Sequence, residues 1–362
     1  MAVGVSRNLS EIRIDSSSGA YGIEFDSFSS RIFDKSFFLV DEKLRYQLNI
    51  SQERSVFVKA EELNKTLGSV EDVMVLFSDK GMTKNDELVV IGGGYVQDIG
   101  TLVASLYMRG IEWIYVPTTL ASMGDSCIGG KSSINAGNVK NLVGNFYPPK
   151  EILIDPSFIS TLPKIEVVAG ISEIIKICFS KSFETFSECS SLISTWQANA
   201  NFETMTEIIR ISLTSKKYFI EIDEFDLKER KLLNFGHSFG HALESASDYM
   251  IPHGVAVLLG MVAAASHPLS EFSQETQMLV KNCLTFALDI DDQLINEISR
   301  IDYQKFSLSL SKDKKNTNLE LVLILPMATG LQIVKIPFDQ NALEVATDAM
   351  KAGIERVLNE IR

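Results

Sequence analysis

Short apolar runs alternate with segments of helical periodicity along residues 36–117, and this alternation limits the possible fold more than any other feature. Branched and aromatic residues fill the runs, as they do in buried strands. The runs are SFFLV (36–40), SVFVK (55–59), ELVVI (87–91) and WIYVP (113–117). The helical segments cover 65–81 and 97–110, and glycine ends both. The alternation predicts a parallel sheet with helices on both faces, which binds ligands at the carboxyl ends of its strands.

The pattern becomes mostly helical after about residue 160, so we predict a second domain. An apolar run, VAVLLGMVAAA (255–265), is too short to cross a bilayer and predicts a buried helix. Residues 319–326 and 331–336 predict a hairpin, and a terminal helix follows. We place the boundary near 155–162, which gives an α/β domain over 1–160 and a mostly helical domain over 161–362.

Composition excludes some classes of partner. The net charge of −13 argues against nucleic acid, which requires a basic face, but it leaves room for a small anionic ligand held by local cations. The four cysteines show no paired spacing, and the N-terminal residues lack the apolar region of a signal peptide. These features predict a cytoplasmic protein with no membrane partner.

Three glycines, 92–94, stand directly between a predicted strand and a predicted helix. Glycine permits close backbone approach, and a helix N-terminus attracts phosphate. Asp98, in the first turn of that helix, is either a surface acid that complements the helix dipole or a cofactor contact. A tight turn without a ligand remains the alternative for the glycines themselves.

A segment rich in glycine and small polar residues covers 117–135 and contains Asp125 and Lys131, and Lys140 and Asn141 follow shortly after it. Cations and amides in a glycine-rich backbone suit a phosphorylated, hydroxylated ligand. Long ordered loops are usually functional. The alternative is an exposed, solvated loop.

Histidines provide the strongest sign of metal chemistry. His237 and His241 are four residues apart on one predicted helix face, and His253 follows a proline. Glu173 and Lys176 lie one helical turn apart in an apolar segment, where buried charges need partners or a metal. A glutamate with two histidines is a catalytic zinc arrangement, although two histidines packed in a core would share the spacing. Spacing alone does not identify the ligands.

Lys216 and Arg230 flank the acidic run EIDEFDLKE. They are either surface partners of that run or anion binders, and the pattern does not decide between these.

Together these segments resemble 3-dehydroquinate synthases and the related sugar phosphate cyclases from about residue 36 to 330. The best-matched segments are GGGYVQD, YMRGIEWIYVPTTL, DSCIGGKSSIN, KNLVGNFYPPK, TLPKIEVVAGISEIIK, LLNFGHSFGHALE and HGVAV. The resemblance implies an α/β N-terminal Rossmann-like NAD-binding domain and a mostly α-helical C-terminal metal-binding domain. It also implies a homodimer.

The resemblance assigns a role to individual residues of this sequence. The implied NAD contacts are Asp41, Glu62, Lys65, Gly93, Gly94, Asp98, Thr118, Thr119, Lys131, Lys140, Thr161, Leu162 and Glu166. The implied ligands of one divalent metal, zinc or cobalt, are Glu173, His237 and His253. The residues implied to surround the substrate are Asp125, Lys131, Asn141, Lys176, Lys216, Arg230, Asn234 and His241. Arg109, implied to act across the dimer interface, and either Lys314 or Lys315 would bind phosphate.

The implied reaction uses NAD transiently, releases phosphate by β-elimination and closes the ring by an intramolecular aldol step. Lys216 and Arg230 match the positions that hold a carboxylate, which indicates 3-deoxy-D-arabino-heptulosonate 7-phosphate or a close acidic analogue. A metal-dependent polyol or glycerol phosphate dehydrogenase is the alternative in the same superfamily. A non-catalytic relative is a third alternative, but such a protein is expected to lose a ligand or a catalytic lysine.

Four departures from the family pattern leave room for a different sugar phosphate from secondary metabolism. Gln97 replaces a glycine, Ser132 and Ser133 replace Thr-Gly, NAGNV precedes Lys140, and Val255 replaces a glutamate.

Overall fold

The structure is a computed structural model that describes residues 12–137, 139–313 and 315–361. The chain divides into two compact units between Thr161 and Leu162. Each unit is described separately below.

The first unit is built on a seven-stranded sheet. Its strands are β1 (Ile12–Ile14), β2 (Tyr21–Phe25), β3 (Phe37–Asp41), β4 (Ser55–Val58), β5 (Leu88–Gly92), β6 (Trp113–Pro117) and β9 (Glu151–Ile154). The order is β1-β2-β9-β6-β5-β3-β4, and every pair is parallel except β1 with β2. The four strands predicted from the sequence are therefore confirmed as β3 to β6. The edge strands β1 and β2 were not predicted.

The two faces of this sheet are covered differently. Helices α1 (Leu67–Asp79) and α2 (Gly94–Leu106) pack on one face, where Phe77 contacts Phe37 and Gly100 approaches Val90. Loops and short 3₁₀ turns cover the other face with Phe28, Leu44 and their neighbours. The prediction of α-helices on both faces is therefore wrong within this unit, because apolar loop residues bury the second face.

The end of the segment that we predicted as a loop forms a hairpin with the residues that follow it. Strands β7 (Lys131–Ala136) and β8 (Val139–Phe146) pair antiparallel. Gly144 permits their close approach, since a Cβ there would lie 1.9 Å from the carbonyl oxygen of Ser132. Polar composition concealed these strands, because much of β8 is exposed.

The second unit is mostly helical, as predicted. Its helices are α3 (Lys164–Lys181), α4 (Phe183–Asn199), α5 (Phe202–Ile222), α6 (His237–Ala246), α7 (His253–Ser266), α8 (Gln274–Ala287), α9 (Asp292–Ser299), α10 (Tyr303–Ser311) and α11 (Gln340–Ile361). Strands β10 (Glu320–Met327) and β11 (Gly330–Pro337) form the predicted hairpin. The fold class is confirmed in both units.

Helix α7 lies at the centre of this unit. It is apolar on all sides and contacts α3, α6, α8, α11 and β10, as expected for a fully buried helix. Glycines bring α6 and α7 together, because a Cβ at Gly260 would lie 2.1 Å from the carbonyl oxygen of Gly236. A Cβ at Gly240 would lie 3.0 Å from the carbonyl oxygen of Ala256. The helix backbones are therefore in direct contact at these positions.

Membrane insertion finds no support here. Among the described residues, no helix combines the length and the apolarity that crossing a bilayer requires.

Candidate functional site

In the first unit, the predicted NAD contacts cluster at the carboxyl ends of the strands. Asp41 is the last residue of β3, Gly93 and Gly94 follow β5, and Thr118 and Thr119 follow β6. The strand order reverses between β3 and β5, and ligands of open α/β sheets bind at such a reversal. Asp41 also accepts a hydrogen bond from the amide of Lys43 at 3.0 Å, which caps the turn after β3.

The start of α2 has the geometry of a phosphate cradle. Gly93 is the N-cap residue, and no described side chain caps this end of the helix. The first amides of α2 are therefore directed at whatever lies beyond the helix end. Thr119 lies against Gly93, since a Cβ there would be 2.9 Å from Thr119 Cγ2. Any larger residue at 93 would fill this space.

Three predicted residues meet in one hydrogen-bonded group. Lys65 Nζ lies 2.6 Å from Asp98 Oδ2 and donates to Asn141 Oδ1 at 2.9 Å. Burial raises the pKa of Asp98, although the charge of Lys65 and the hydrogen bonds from Lys65 and Ser133 oppose that effect. Asp98 is therefore a half-buried partner of Lys65, and not the surface acid of the alternative interpretation. Asn141 has a left-handed backbone, with φ of 52°.

Sequence reasoning missed two polar residues that complete this group. Ser133 donates its amide to Asp98 Oδ1 at 2.8 Å and its hydroxyl to Asn141 Oδ1 at 3.0 Å. Asn135 donates to Glu62 Oε1 at 2.9 Å and accepts from the amide of Asn141 at 3.0 Å. The alternating polar residues of 131–136 were the available signal, because one face of a strand carries every second residue.

The remaining predicted residues of this unit have defined positions. Asp125 lies half-buried in a π-helical turn, Ser122–Ser126, and such turns are frequent at functional sites. Lys131 is exposed at the start of β7, and Lys140 lies in β8. Arg109 has a positive φ of 67° in the turn after α2. Thr161 donates its hydroxyl to the carbonyl oxygen of Phe158 at 2.9 Å.

In the second unit, Glu173 lies at the centre of a buried ionic group. One carboxylate oxygen, Oε2, accepts a hydrogen bond from Lys176 Nζ, and the Glu173 and Lys176 side chains are 5% and 4% exposed. The other oxygen, Oε1, is buried without a hydrogen-bond partner among the described residues and faces His253 Nε2 at 3.3 Å. Burial raises the pKa of Glu173, but Lys176 and His253 outweigh it and hold that pKa well below its usual range.

Three histidines form a cluster, and one of them, His253, contacts this carboxylate. Nitrogen atoms of His237, His241 and His253 all lie within 4.8 Å of one another. Burial, together with the charges of Lys176 and His253, keeps the pKa of His237 well below its usual value. Burial and the charges of His253 and Lys315 lower the pKa of His241 to about 4. Both rings are therefore neutral at pH 7, which is the form that binds metal.

His253 differs because two carboxylates hold it. Burial lowers its pKa, but the nearby carboxylates of Glu173 and Glu244 outweigh burial and raise the pKa of His253 to about 10. Three clustered imidazoles, one of which contacts the buried Glu173 carboxylate, offer donors that fit a divalent cation.

A glycine after His253 allows the contact with Glu173. A Cβ at Gly254 would lie 2.4 Å from Ala169 Cα and 2.5 Å from the carbonyl oxygen of Ala169. Ala169 precedes Glu173 by one turn of α3, so this close approach sets the start of α7 beside the carboxylate.

Gly254→Ala should therefore lower the free energy of unfolding by about 1–3 kcal/mol, the usual effect of overpacking. Urea denaturation measures this change. Gly68→Ala is the matched control, because Gly68 lies in α1 and the added Cβ would come no closer than 3.7 Å to another residue, at Thr66 Oγ1. Alanine is favoured over glycine in a helix, so the control should be neutral or stabilising. Equal effects of the two substitutions would contradict the proposed close contact.

The other predicted residues of this unit fall into two groups. Lys216 and Arg230 are buried, at 7% and 4% exposure, and Arg230 Nη1 donates a hydrogen bond to the carbonyl oxygen of Glu224 within the acidic run. Asn234 ends a 3₁₀ turn directly before α6. Leu162 and Glu166 lie at the beginning of the unit, Glu166 in the first turn of α3. Lys315 pairs with Asp313 at 2.8 Å. Lys314 lies outside the described residues.

Comparison with known proteins identifies the family. The family model described as 3-dehydroquinate synthase N-terminal matches residues 55–169, and the one described as 3-dehydroquinate synthase C-terminal matches residues 170–316. The chain belongs to the 3-dehydroquinate synthase family. The resemblance inferred from the sequence is thus confirmed, and the chain is an enzyme of this type.

Curated members of the family match over most of the chain. A 3-dehydroquinate synthase from Streptococcus pyogenes serotype M49 is 33% identical over 338 residues, which cover 90% of this chain and 92% of that protein. Another from Dictyoglomus thermophilum is 34% identical over 335 residues and covers 91% of this chain and 90% of that protein.

Solved structures share the fold at lower identity. A 2-deoxy-scyllo-inosose synthase complexed with carbaglucose-6-phosphate, NAD⁺ and Co²⁺ is 20% identical, with a TM-score of 0.76 over 94% of this chain and 99% of that chain. A 2-epi-5-epi-valiolone synthase from Streptomyces hygroscopicus with NAD⁺ and Zn²⁺ is 20% identical, with a TM-score of 0.75 over 96% and 99%. A glycerol dehydrogenase from Schizosaccharomyces pombe is 14% identical, with a TM-score of 0.61 over 90% and 84%.

Two of the residues that we interpreted as departures from the family pattern have a clear structural role in this chain. Gln97 is buried and forms two hydrogen bonds with Ser126: its Nε2 donates to the Ser126 carbonyl oxygen, and its Oε1 accepts from the Ser126 hydroxyl, both at 2.7 Å. This residue ties α2 to the turn that carries Asp125. Val255 is fully buried in the apolar helix α7.

Proposed function

We propose that this chain is a sugar phosphate cyclase that converts 3-deoxy-D-arabino-heptulosonate 7-phosphate, or a close acidic analogue, into 3-dehydroquinate or its analogue with release of phosphate. The observation that carries the proposal is the buried Glu173–Lys176 pair beside three clustered histidines, in a member of the 3-dehydroquinate synthase family. Membership of the family supports the reaction type, and the residues below support the choice of substrate.

NAD and one divalent metal, zinc or cobalt, are the proposed cofactors. When bound, NAD supplies a reversible hydride acceptor for a ring hydroxyl, and the cation supplies a Lewis acid for the reacting oxygens. The open N-terminus of α2 supports NAD binding, because no described side chain caps it and a side chain at Gly93 would collide with Thr119. The residues proposed to hold NAD are Asp41, Glu62, Lys65, Gly93, Gly94, Asp98, Thr118, Thr119, Lys131, Lys140, Thr161, Leu162 and Glu166.

We assign the metal to Glu173, His237 and His253. A histidine that binds metal almost always donates its other ring N–H to a carbonyl or carboxylate. His237 Nδ1 lies 3.2 Å from the carbonyl oxygen of Phe235, and His253 Nδ1 lies 2.9 Å from Glu244 Oε2. Among the described residues, His241 has no such acceptor. This difference supports His241 as a neutral substrate contact.

The choice of an acidic substrate rests on Lys216 and Arg230. Two buried cations suit a carboxylate, because charge-assisted hydrogen bonds strengthen away from water. We propose that Asp125, Lys131, Asn141, Lys176 and Asn234 contact the rest of the substrate. Arg109 and either Lys314 or Lys315 are the proposed phosphate contacts. A cytoplasmic homodimer is proposed from the resemblance and the composition.

Phosphate release tests the function. Purified protein with NAD and Zn²⁺ or Co²⁺ should release one phosphate per heptulosonate phosphate, with no net NADH, and a chelator should stop the reaction. Phosphate release only from an uncharged sugar phosphate would overturn the substrate and keep the cyclase. Net NADH formation from a simple polyol, without phosphate release, would replace the cyclase with a dehydrogenase.

A further inference from the structure

We propose that Glu244 is a positioning residue that holds His253 in the orientation and tautomer required to bind the metal. This inference rests on the proposed function, because it assumes that His253 is a ligand. Glu244 Oε2 lies 2.9 Å from His253 Nδ1, and the Glu244 side chain is 13% exposed. None of the residue types or spacings that identified the other site residues pointed to Glu244.

The hydrogen bond fixes which ring nitrogen faces the site. A carboxylate only accepts hydrogen bonds, so His253 Nδ1 carries the proton that joins it to Glu244. Because Nδ1 keeps its proton toward Glu244, Nε2 is the nitrogen left for a cation, which displaces the proton there, and this atom faces Glu173 Oε1 at 3.3 Å. A carboxylate behind a ligand histidine also increases the basicity of the ring. Glu244 thus makes Nε2 a stronger metal ligand and fixes its orientation.

The backbone around Glu244 holds it in place. Its carbonyl oxygen accepts the amide of Tyr249 at 2.7 Å and the hydroxyl of Ser247 at 3.0 Å. The same hydroxyl accepts the amide of Ile251 at 3.3 Å, in the turn that leads to α7. The turn between α6 and α7 therefore closes on Glu244, the residue that also holds His253.

Helix α6 carries Glu244 two turns after His237, on the same face. One rigid helix therefore supplies one proposed ligand, His237, and the support for another, His253. Because both residues lie on α6, the positions of the two imidazoles depend on the same helix. Supporting residues on rigid elements preserve metal geometry in this way.

Metal affinity of Glu244→Gln tests the inference. Glutamine keeps the size of the side chain and removes its charge, so the metal-free protein should keep its thermal stability. The dissociation constant for Zn²⁺, measured by competition with a chromogenic chelator, should rise roughly 10- to 100-fold, as for other outer partners of ligand histidines. The visible spectrum of the Co²⁺-loaded protein should change as well, which a purely structural role would not produce. Glu244→Asp, which keeps the charge on a shorter side chain, should weaken binding less than glutamine does.

Glu320→Gln is the matched control, because Glu320 pairs with Lys335 on the β10–β11 hairpin and should leave metal affinity unchanged. His253→Ala is measured in parallel. If His253→Ala loses metal and Glu244→Gln binds it normally, the inference about Glu244 is wrong and the proposed ligand set stands. If His253→Ala binds metal normally, the proposed ligand set itself is wrong. A drop in the stability of metal-free Glu244→Gln, with unchanged metal affinity, would show a structural role instead.

Discussion

His253→Ala should lose the divalent metal, whereas His241→Ala should keep it and lose turnover. The physical reason is the difference between the two rings: Nδ1 of His253 is held by Glu244 and Nε2 faces the unpartnered Glu173 Oε1, while His241 has no acceptor for its second nitrogen among the described residues. Loss of a ligand should weaken binding by more than the roughly 10- to 100-fold typical of an outer partner.

Metal content after dialysis, measured by plasma mass spectrometry, checks this result. His267→Ala serves as a histidine control, because His267 lies at the far end of α7 from His253 and should leave the metal content unchanged. Equal metal loss in the His241 and His253 variants would restore the interpretation in which the two histidines of α6 are the ligands.

Lys176→Met should lower the free energy of unfolding of the metal-free protein by about 3–5 kcal/mol. Removing one partner from a buried ion pair leaves a charge that water cannot solvate. Glu173 would then face His253 without the lysine that contributes most to keeping its carboxylate ionised. Urea denaturation in the presence of a chelator measures the change.

Two further variants isolate the cause. Glu173→Leu combined with Lys176→Met should recover most of the stability, because an apolar pair replaces the buried ions. Lys351→Met is the exposed control: Lys351 and Asp348 have the same three-residue spacing, but their side chains are 44% and 70% exposed. Its effect should stay within about 1 kcal/mol. A similar small loss for Lys176→Met would mean that the internal pair is well solvated.

Apolar periodicity predicted the central strands because β3, β5 and β6 are almost continuously buried. The same signal fails where a strand is exposed. Strand β8 has no buried residue and interrupts its apolar residues with polar ones, and β1 has only three residues, so neither carries a recognisable apolar run. The faces of the sheet could not be predicted either, because loop residues such as Phe28 cover one of them.

Some contacts of the candidate site could also be predicted from the sequence, and others could not. Spacing predicted that His237 and His241 share a helix face, because four residues make about one turn, and their rings lie 5.2 Å apart. The contact of His253 with Glu173 joins two helices distant in sequence, so only the resemblance pointed to it. Lys65 and Asp98 likewise meet across the chain. Glu244 and Ser133 became visible only as hydrogen-bond partners of predicted residues.

The glycine contacts between α6 and α7 have a consequence for handling the protein. With Gly236, Gly240 and Gly260 in backbone contact, the two helices leave no space to slide or rotate, so the polypeptide itself keeps the imidazoles in place. Removal of the metal by a chelator would then leave the arrangement of the imidazoles unchanged. The same sample could be freed of metal and loaded with different ions in turn. Differences in the reaction rate would then reflect the ion rather than a change in the protein structure.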